Sequence, residues 1–391
     1  MKKMKILFPF VEAGFGHIMA EEAICSAFEK KYSDYFEIIR CNFFKDYGEP
    51  MLKFEKRMCD EVKRYNKCVL YGYINIAAMN ITGRNGSKFV MEHLVPGAYA
   101  DCMKRMEELS PDVVISTHWA TNYYAEHMKN KPYTVMYGPD AHLNKFFRYP
   151  CDLDLISIPF GYERAKKFKK RFNDENLKLV PTAIRKEAFE TERDKTKLRQ
   201  KLGLKDKFTV IVMDGGYGVG LTEKLSRALI KENLPINVIA VCGKNPELYD
   251  KLKDLKGDLT DFYPLPFCRN ILEYISASDL YFGKSGSGIL EPAFFNVPIV
   301  VTHSANTIEK FIADHYIKYV GDAIRIESVK KCVNFVKDTI SGGEQYNKLL
   351  NSTDKLQKFG GEGIADVIFE SLDKRFRLTE TKDNTTETKY E

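Results

Sequence analysis

The stretch Phe282-Gly283-Lys284-Ser285-Gly286-Ser287-Gly288-Ile289-Leu290-Glu291-Pro292-Ala293-Phe294-Phe295-Asn296-Val297-Pro298 decides the fold. An apolar, strand-like run ends in Asp279-Leu280-Tyr281-Phe282, the chain turns through three glycines, and a helical pattern follows with one acid near its start. A strand, a glycine turn and a helix N-terminus together make an anion site, because the turn admits close backbone N–H groups and the helix start carries positive potential. The carboxylate of Glu291 would repel phosphate, so it is expected to accept hydrogen bonds from ribose hydroxyls instead. The combination predicts a nucleotide carrying a sugar. The plainer alternative is a tight loop whose glycines supply positive φ.

The same plan recurs along the chain. A first strand over residues 5–10 leads into Val11-Glu12-Ala13-Gly14-Phe15-Gly16-His17 and then a helical pattern over 19–30. A strand over 208–213 leads into Asp214-Gly215-Gly216-Tyr217-Gly218-Val219-Gly220, and one over 237–242 into Gly243-Lys244-Asn245. Further strands are expected over 36–42, 111–117, 133–137, 153–159 and 299–301. Strands alternating with helices imply parallel sheets, in which residues at the carboxyl ends of strands face the ligand crevice. His118, Asp140 and His142 occupy such positions. The predicted fold class is therefore α/β, with two Rossmann-like domains facing across a cleft. Residues 1–182 are read as the first domain, 183–373 as the second, and 374–391 as a polar, disordered tail.

Composition narrows the function classes. The 391 residues are 44% hydrophobic with a formal net charge of +6, enough to favour an anionic surface or substrate but too little for a nucleic-acid footprint. Nine scattered cysteines, an odd number without a Cys-x-x-Cys pair, suit reduced thiols rather than a disulfide frame or a zinc site. The longest apolar stretch, 68–81, is interrupted by Gly72 and Asn75 and is too short to span a bilayer. Residues 43–106 interleave bases such as Lys45, Arg57 and Lys67 with aromatics such as Phe43, Phe44 and Phe54. Such a face could dock on anionic lipid, or the aromatics could be core and the bases a solvated surface. Asp152-Leu153-Asp154 resembles an Asp-x-Asp metal motif but opens an apolar strand, so a strand-edge role is expected and no metal.

The donor stretch is similar to that of glycosyltransferases that include the monogalactosyldiacylglycerol synthases, the processive diacylglycerol glucosyltransferases and the cell-wall lipid N-acetylglucosaminyl transferase. Lys284, Glu291 and Pro298 match the Lys of their Lys-Pro-Gly-Gly turn, the Glu that follows it and the Pro seven residues after that Glu, although Ser285 replaces the turn's Pro and the Lys-to-Glu spacing is one residue shorter. Gly14-Phe15-Gly16-His17 and Val241-Cys242-Gly243-Lys244-Asn245 match further motifs. The resemblance implies a GT-B type fold and inverting transfer of a hexose from a UDP-sugar, which is a substrate, to diacylglycerol. It implies no metal and no cofactor. It also implies a peripheral place on the anionic inner face of the cell membrane, on the cytoplasmic side. Carried onto this sequence, the donor contacts are Gly16, Gly215, Gly216, Gly243, Lys244, Phe267, Ser285, Gly286, Ser287, Gly288, Glu291 and Asn306. The candidate bases are His17 and Asp140. The relatives' Pro-Gly-Gln-Glu sugar motif is replaced by Thr302-His303-Ser304-Ala305-Asn306, with Asn306 and Glu309 nearest in type, so the sugar stays open. Another lipid-linked acceptor, a UDP-sugar epimerase and a non-catalytic nucleotide-sugar-binding protein are the alternatives.

Overall fold

The computed structural model describes residues 3–12, 15–45, 47–138, 145–146, 151–168, 172–216, 218, 220–352 and 358–380. The chain divides into two units, one of residues 1–63, 74–186 and 358–391, the other of 64–73 and 187–357. Each is built on a six-stranded sheet.

In the first unit β1 (Met4–Phe10), β2 (Phe36–Asn42), β3 (Val113–Ser116), β4 (Tyr133–Gly138), β5 (Leu153–Ile156) and β6 (Leu177–Leu179) lie in the order β2-β1-β3-β4-β5-β6. Every pairing is parallel. The strands read as nearly unbroken apolar runs because both faces of the sheet are covered. Successive residues alternate between two cores: Leu7, Val114 and Met136 enter one cluster, while Ile6, Phe8, Val113, Ile115, Val135 and Tyr137 enter the other.

The second unit repeats this plan with β7 (Thr209–Met213), β8 (Asn237–Gly243), β9 (Asp261–Pro266), β10 (Leu280–Lys284), β11 (Ile299–His303) and β12 (Ala323–Arg325), in the order β12-β11-β10-β7-β8-β9. Here too all pairings are parallel. In both units the first strand is interior, and the chain builds first to one side of it and then to the other. That reversal makes a topological switch point beside β1 and another beside β7.

The domain limits differ from the sequence expectation at the C-terminus. The helix Gly361–Phe376 returns to the first unit instead of closing the second. Its Ile364, Ala365, Ile368 and Leu372 are buried in the core that also holds Ala23 and Phe28 of the helix Phe15–Tyr32. The two helices approach so closely that a Cβ on Gly361 would lie 2.2 Å from the Ala23 carbonyl oxygen. Phe369 stacks on Tyr32 with ring centroids 4.0 Å apart. The expected tail also begins late: residues 374–376 are helical, Leu378 is buried, and residues 381–391 lie outside the described part.

Residues 43–106 hold far more than one crossover helix. They fold into Glu49–Lys67, Val69–His93, which bends at Gly83 (φ 56°), and the start of Ala98–Leu109. Phe43, Phe44 and Phe54 are core, so for these aromatics the membrane-facing expectation gives way to packing. The exposed large apolar side chains of this stretch are instead Leu52, Val69, Leu70, Ile74, Ile81 and Phe89. No helix among the described residues is long and apolar enough to cross a membrane. The nine cysteines are free thiols.

Candidate active site

The switch point of the first unit brings His17 to the end of β3. His17 sits in the first turn of the helix after β1, and its Nδ1 lies 2.6 Å from the Thr117 carbonyl oxygen. Thr117 Oγ1 donates back to the His17 carbonyl at 2.9 Å. A carbonyl oxygen can only accept, so Nδ1 carries the proton and Nε2 keeps the lone pair. Although the residue as a whole is only partly buried, its ring is enclosed by protein, and desolvation pushes its pKa down to about 4 against the opposing pull of the Thr117 carbonyl. Burial therefore favours the neutral ring that a base requires.

His118 packs edge-on against His17, with ring centroids 5.1 Å apart and planes at 86°. Its Nδ1 accepts the Ala120 N–H at 3.2 Å and so caps the helix Trp119–Glu126. Burial, then the neighbouring His17, holds its pKa well below the usual histidine value. Two neutral imidazoles thus meet with opposite tautomers, the one offering Nε2 as an acceptor and the other using Nδ1 as one. Just after β1, the Glu55 carboxylate accepts the Glu12 N–H at 2.9 Å. Asp140 and His142 lie outside the described residues.

In the second unit the candidate donor residues follow the carboxyl ends of five adjacent strands. Gly215 and Gly216 follow β7, Gly243 and Lys244 end β8, Phe267 ends β9, Ser285 to Gly288 and Glu291 follow β10, and Asn306 follows β11. Gly243, at φ 58°, is required by close approach, since a Cβ there would lie 2.5 Å from the Gly216 carbonyl oxygen. Lys244 N–H donates to that same carbonyl at 2.8 Å. The Lys244 ammonium lies 5.4 Å from the centre of the exposed Phe267 ring, a cation–π contact that holds an aromatic face at the sheet edge. The loops after β7 and β10 meet across the switch point, where a Cβ on Gly215 would lie 3.2 Å from Lys284 Cε.

The turn after β10 works differently from the expectation of positive φ. Gly286 is extended, at φ 166°, and a Cβ on Gly283 would lie 2.3 Å from the Met213 carbonyl oxygen. Gly283, within β10, serves close packing, whereas a Cβ on Gly286 or Gly288 would meet nothing nearer than 3.5 Å. The 3-10 turn Ser287–Ile289 and the five-residue helix Leu290–Phe294 follow, so a ligand would meet individual N–H groups rather than a long helix dipole. Ser285 N–H already donates to the His303 carbonyl at 2.9 Å. Asn306 caps the helix Thr307–His315 by accepting the Glu309 N–H at 3.0 Å. Lys284 is paired with Glu309 at 2.9 Å, and the second carboxylate oxygen of Glu309 takes the Ala305 N–H at 2.8 Å. Asp152 accepts from Thr134, and no group of metal-ligating side chains occurs among the described residues.

No family model matches the chain. It is 26% identical over 278 residues to the UDP-N-acetylglucosamine--N-acetylmuramyl-(pentapeptide) pyrophosphoryl-undecaprenol N-acetylglucosamine transferase of Carboxydothermus hydrogenoformans, covering 68% of this chain and 71% of that protein. It is 25% identical over 289 residues to the processive diacylglycerol beta-glucosyltransferase of Bacillus licheniformis, covering 68% and 72%. Monogalactosyldiacylglycerol synthase 1 of Arabidopsis thaliana is 23% identical over 323 residues, 76% of this chain and 57% of the plant protein. The chain is thus similar to lipid glycosyltransferases over about two thirds to three quarters of its length. Among solved structures, the S. aureus MnaA–UDP complex aligns with a TM-score of 0.62 at 12% identity, over 97% of this chain and 98% of that one. Acinetobacter baumannii MurG aligns with a TM-score of 0.58 at 14% identity, over 94% and 100%. These likenesses, with the two parallel six-stranded sheets, establish a two-domain Rossmann-like GT-B fold.

Proposed function

We propose that the protein transfers a hexose from a UDP-sugar to the hydroxyl of a lipid acceptor, with diacylglycerol as the acceptor. The observation that carries this reading is the row of donor-type residues along the carboxyl edge of the second sheet, in a chain similar to lipid glycosyltransferases. In the proposed reaction the acceptor oxygen attacks the anomeric carbon, and the bond from that carbon to the β-phosphate oxygen breaks with its electron pair going to UDP. Configuration inverts, and the acceptor proton passes to His17 Nε2. Glu291 receives the ribose hydroxyls, and the Phe267 face receives the uracil.

The acceptor surface is assigned to the helix Val69–His93. In its first-unit part Ile74 and Ile81, seven residues apart, are exposed before the bend at Gly83, and Arg84, Lys88 and Phe89 are exposed beyond it. Apolar groups that enter the headgroup layer and bases that attract anionic lipid suit a peripheral protein at a membrane.

The test is to incubate the protein with labelled UDP-glucose, UDP-galactose or UDP-N-acetylglucosamine, with diacylglycerol micelles, with a polyprenyl-diphosphate-linked sugar, or with no acceptor. Label in diacylglycerol supports the proposal. Label in the polyprenyl lipid alone moves it to a cell-wall type acceptor, and conversion of the UDP-sugar without acceptor replaces it with an epimerase.

A further inference from the structure

We propose that His303, backed by the buried carboxylate of Asp214, is the cation that meets the donor diphosphate. The inference rests on the UDP-sugar reading above and adds a residue to it. UDP departs with an electron pair on a phosphate oxygen, so positive charge or preorganised donors must lie against it. The donor motif offers Lys284 for this, but its ammonium is 2.9 Å from Glu309, with each side chain only 15% exposed. That pair is locally neutral. Lys244 sits two strands away over the Phe267 ring.

Asp214 ends β7 and its side chain is almost wholly buried. One oxygen, Oδ2, accepts from both the backbone N–H and the Oγ1 of Thr222, each at 2.8 Å. The other, Oδ1, has no hydrogen-bond partner among the described residues. A carboxylate oxygen left so is costly and calls for a reason. The group facing it is His303 Nδ1 at 3.9 Å, from the carboxyl end of the strand β11, and that side chain keeps 22% of its surface open. Thr302 Oγ1 lies 3.2 Å from the same nitrogen.

An imidazolium at this place resolves both needs. Its Nδ1–H turns to Asp214 Oδ1 through a shift of about 1 Å, the difference between the present separation and a charge-assisted hydrogen bond. Its Nε2–H is then a charged donor at the sheet edge, beside the Ser285-Gly286 turn whose first N–H is held by the His303 carbonyl. The other charged or titratable groups around the pair are Tyr281 and Lys284 on β10, Glu291 after it, Glu309 on the helix Thr307–His315, and Arg325 on β12, which reaches Ser304. Arg325 is paired with Glu327 and Asp314 and donates to Ser304, although its Nη2 lacks a hydrogen-bond partner among the described residues; the group that faces Asp214 Oδ1 is His303.

The experiment is calorimetric titration of the full-length protein with UDP and, separately, with uridine. His303→Gln is expected to weaken UDP about tenfold or more and to leave uridine affinity unchanged, because only UDP carries the diphosphate. His303→Arg is expected to recover most of the loss, and Asp214→Asn to lose part of it without adding to the loss in the double variant. Unchanged UDP affinity in His303→Gln overturns the proposal. Equal losses for UDP and uridine with no recovery in His303→Arg also overturn it. A wild-type protein that binds uridine nucleotides normally while the variants show no difference leaves the glycosyltransferase reading in place, whereas wild-type protein that binds neither ligand removes both.

Discussion

Replacing His17 with Ala tests the base directly, and its pH profile tests the reason it can act as one. Burial lowers its pKa from 6.5 to about 4. At pH 5.5 a histidine of pKa 6.5 would be only about 9% in the basic form, whereas one of pKa about 4 would be about 97% basic. The wild-type kcat/KM, measured from pH 4.5 to 8 with labelled UDP-sugar and lipid micelles, should therefore stay on its plateau through pH 5.5. His17→Ala should lower kcat by about 10²–10⁴-fold with UDP affinity nearly intact. The same shift bears on stability. The folded pKa lies below the unfolded one, so the unfolded chain binds more protons between them, and the stability gained is complete above pH 6.5 and lost as pH falls towards 4. Its ceiling is about 3 kcal/mol, reduced because the residue is partly exposed. Urea midpoints at pH 7.5 and 5 should differ more in the wild type than in His17→Ala. An acid limb at pH 6.5 that vanishes in the variant would refute the buried-base argument, and near-normal kcat in a folded variant would refute the base itself.

Three further outcomes are expected. Glu291→Ala should cost about 1.5–3 kcal/mol of UDP affinity, the range for hydrogen bonds to a charged group; unchanged calorimetric affinity would withdraw the ribose contact. Lys284→Ala strands the Glu309 carboxylate and should lower the urea-derived stability by about 3 kcal/mol, while Lys284→Met combined with Glu309→Leu should recover most of it. If the single variant is as stable as the wild type, the pair does not hold the donor loops together. Ile81→Asp, at a side chain 81% exposed, should reduce co-sedimentation with anionic vesicles without altering UDP binding. Wild-type sedimentation should also weaken with salt, because the surface potential is screened over about 8–10 Å. Equal sedimentation with neutral and anionic vesicles would count against the membrane face.

The strand-glycine-helix units were legible because each is local: an apolar run, a turn that tolerates close backbone contact, and a helical period. The return of Gly361–Phe376 to the first unit was not, since the spacing of Ile364, Ala365, Ile368 and Leu372 says that this face is buried but not against which core. The edge strands Leu177–Leu179 and Ala323–Arg325 are three residues each, too short to show a period. In residues 43–106 the alternation of bases and aromatics misled, because Phe43, Phe44 and Phe54 pack inward. Asn306-Thr307-Ile308-Glu309 is a capping pattern in the sequence, and the comparison with a sugar-gripping motif obscured it. His118 was legible as a residue at a strand end, while its tautomer depends on Ala120 and so on the helix that follows.

The two switch points share a topology, and the group opposite each histidine sets its chemistry. At the first, the atom facing His17 Nδ1 is a backbone carbonyl, which fixes one proton and adds no formal charge, so burial wins and the ring stays neutral with Nε2 able to accept. At the second, the atom facing His303 Nδ1 is a carboxylate oxygen, and the ring keeps access to solvent, where the proposal above sets it against the diphosphate. A transferase needs both: an acceptor of the incoming hydroxyl proton and a positive group against the departing phosphate. Asp214→Asn separates these roles. It removes the charge opposite His303 while keeping an oxygen for Thr222, so it should weaken UDP binding and leave the acid limb of kcat/KM, which His17 controls, where it is in the wild type.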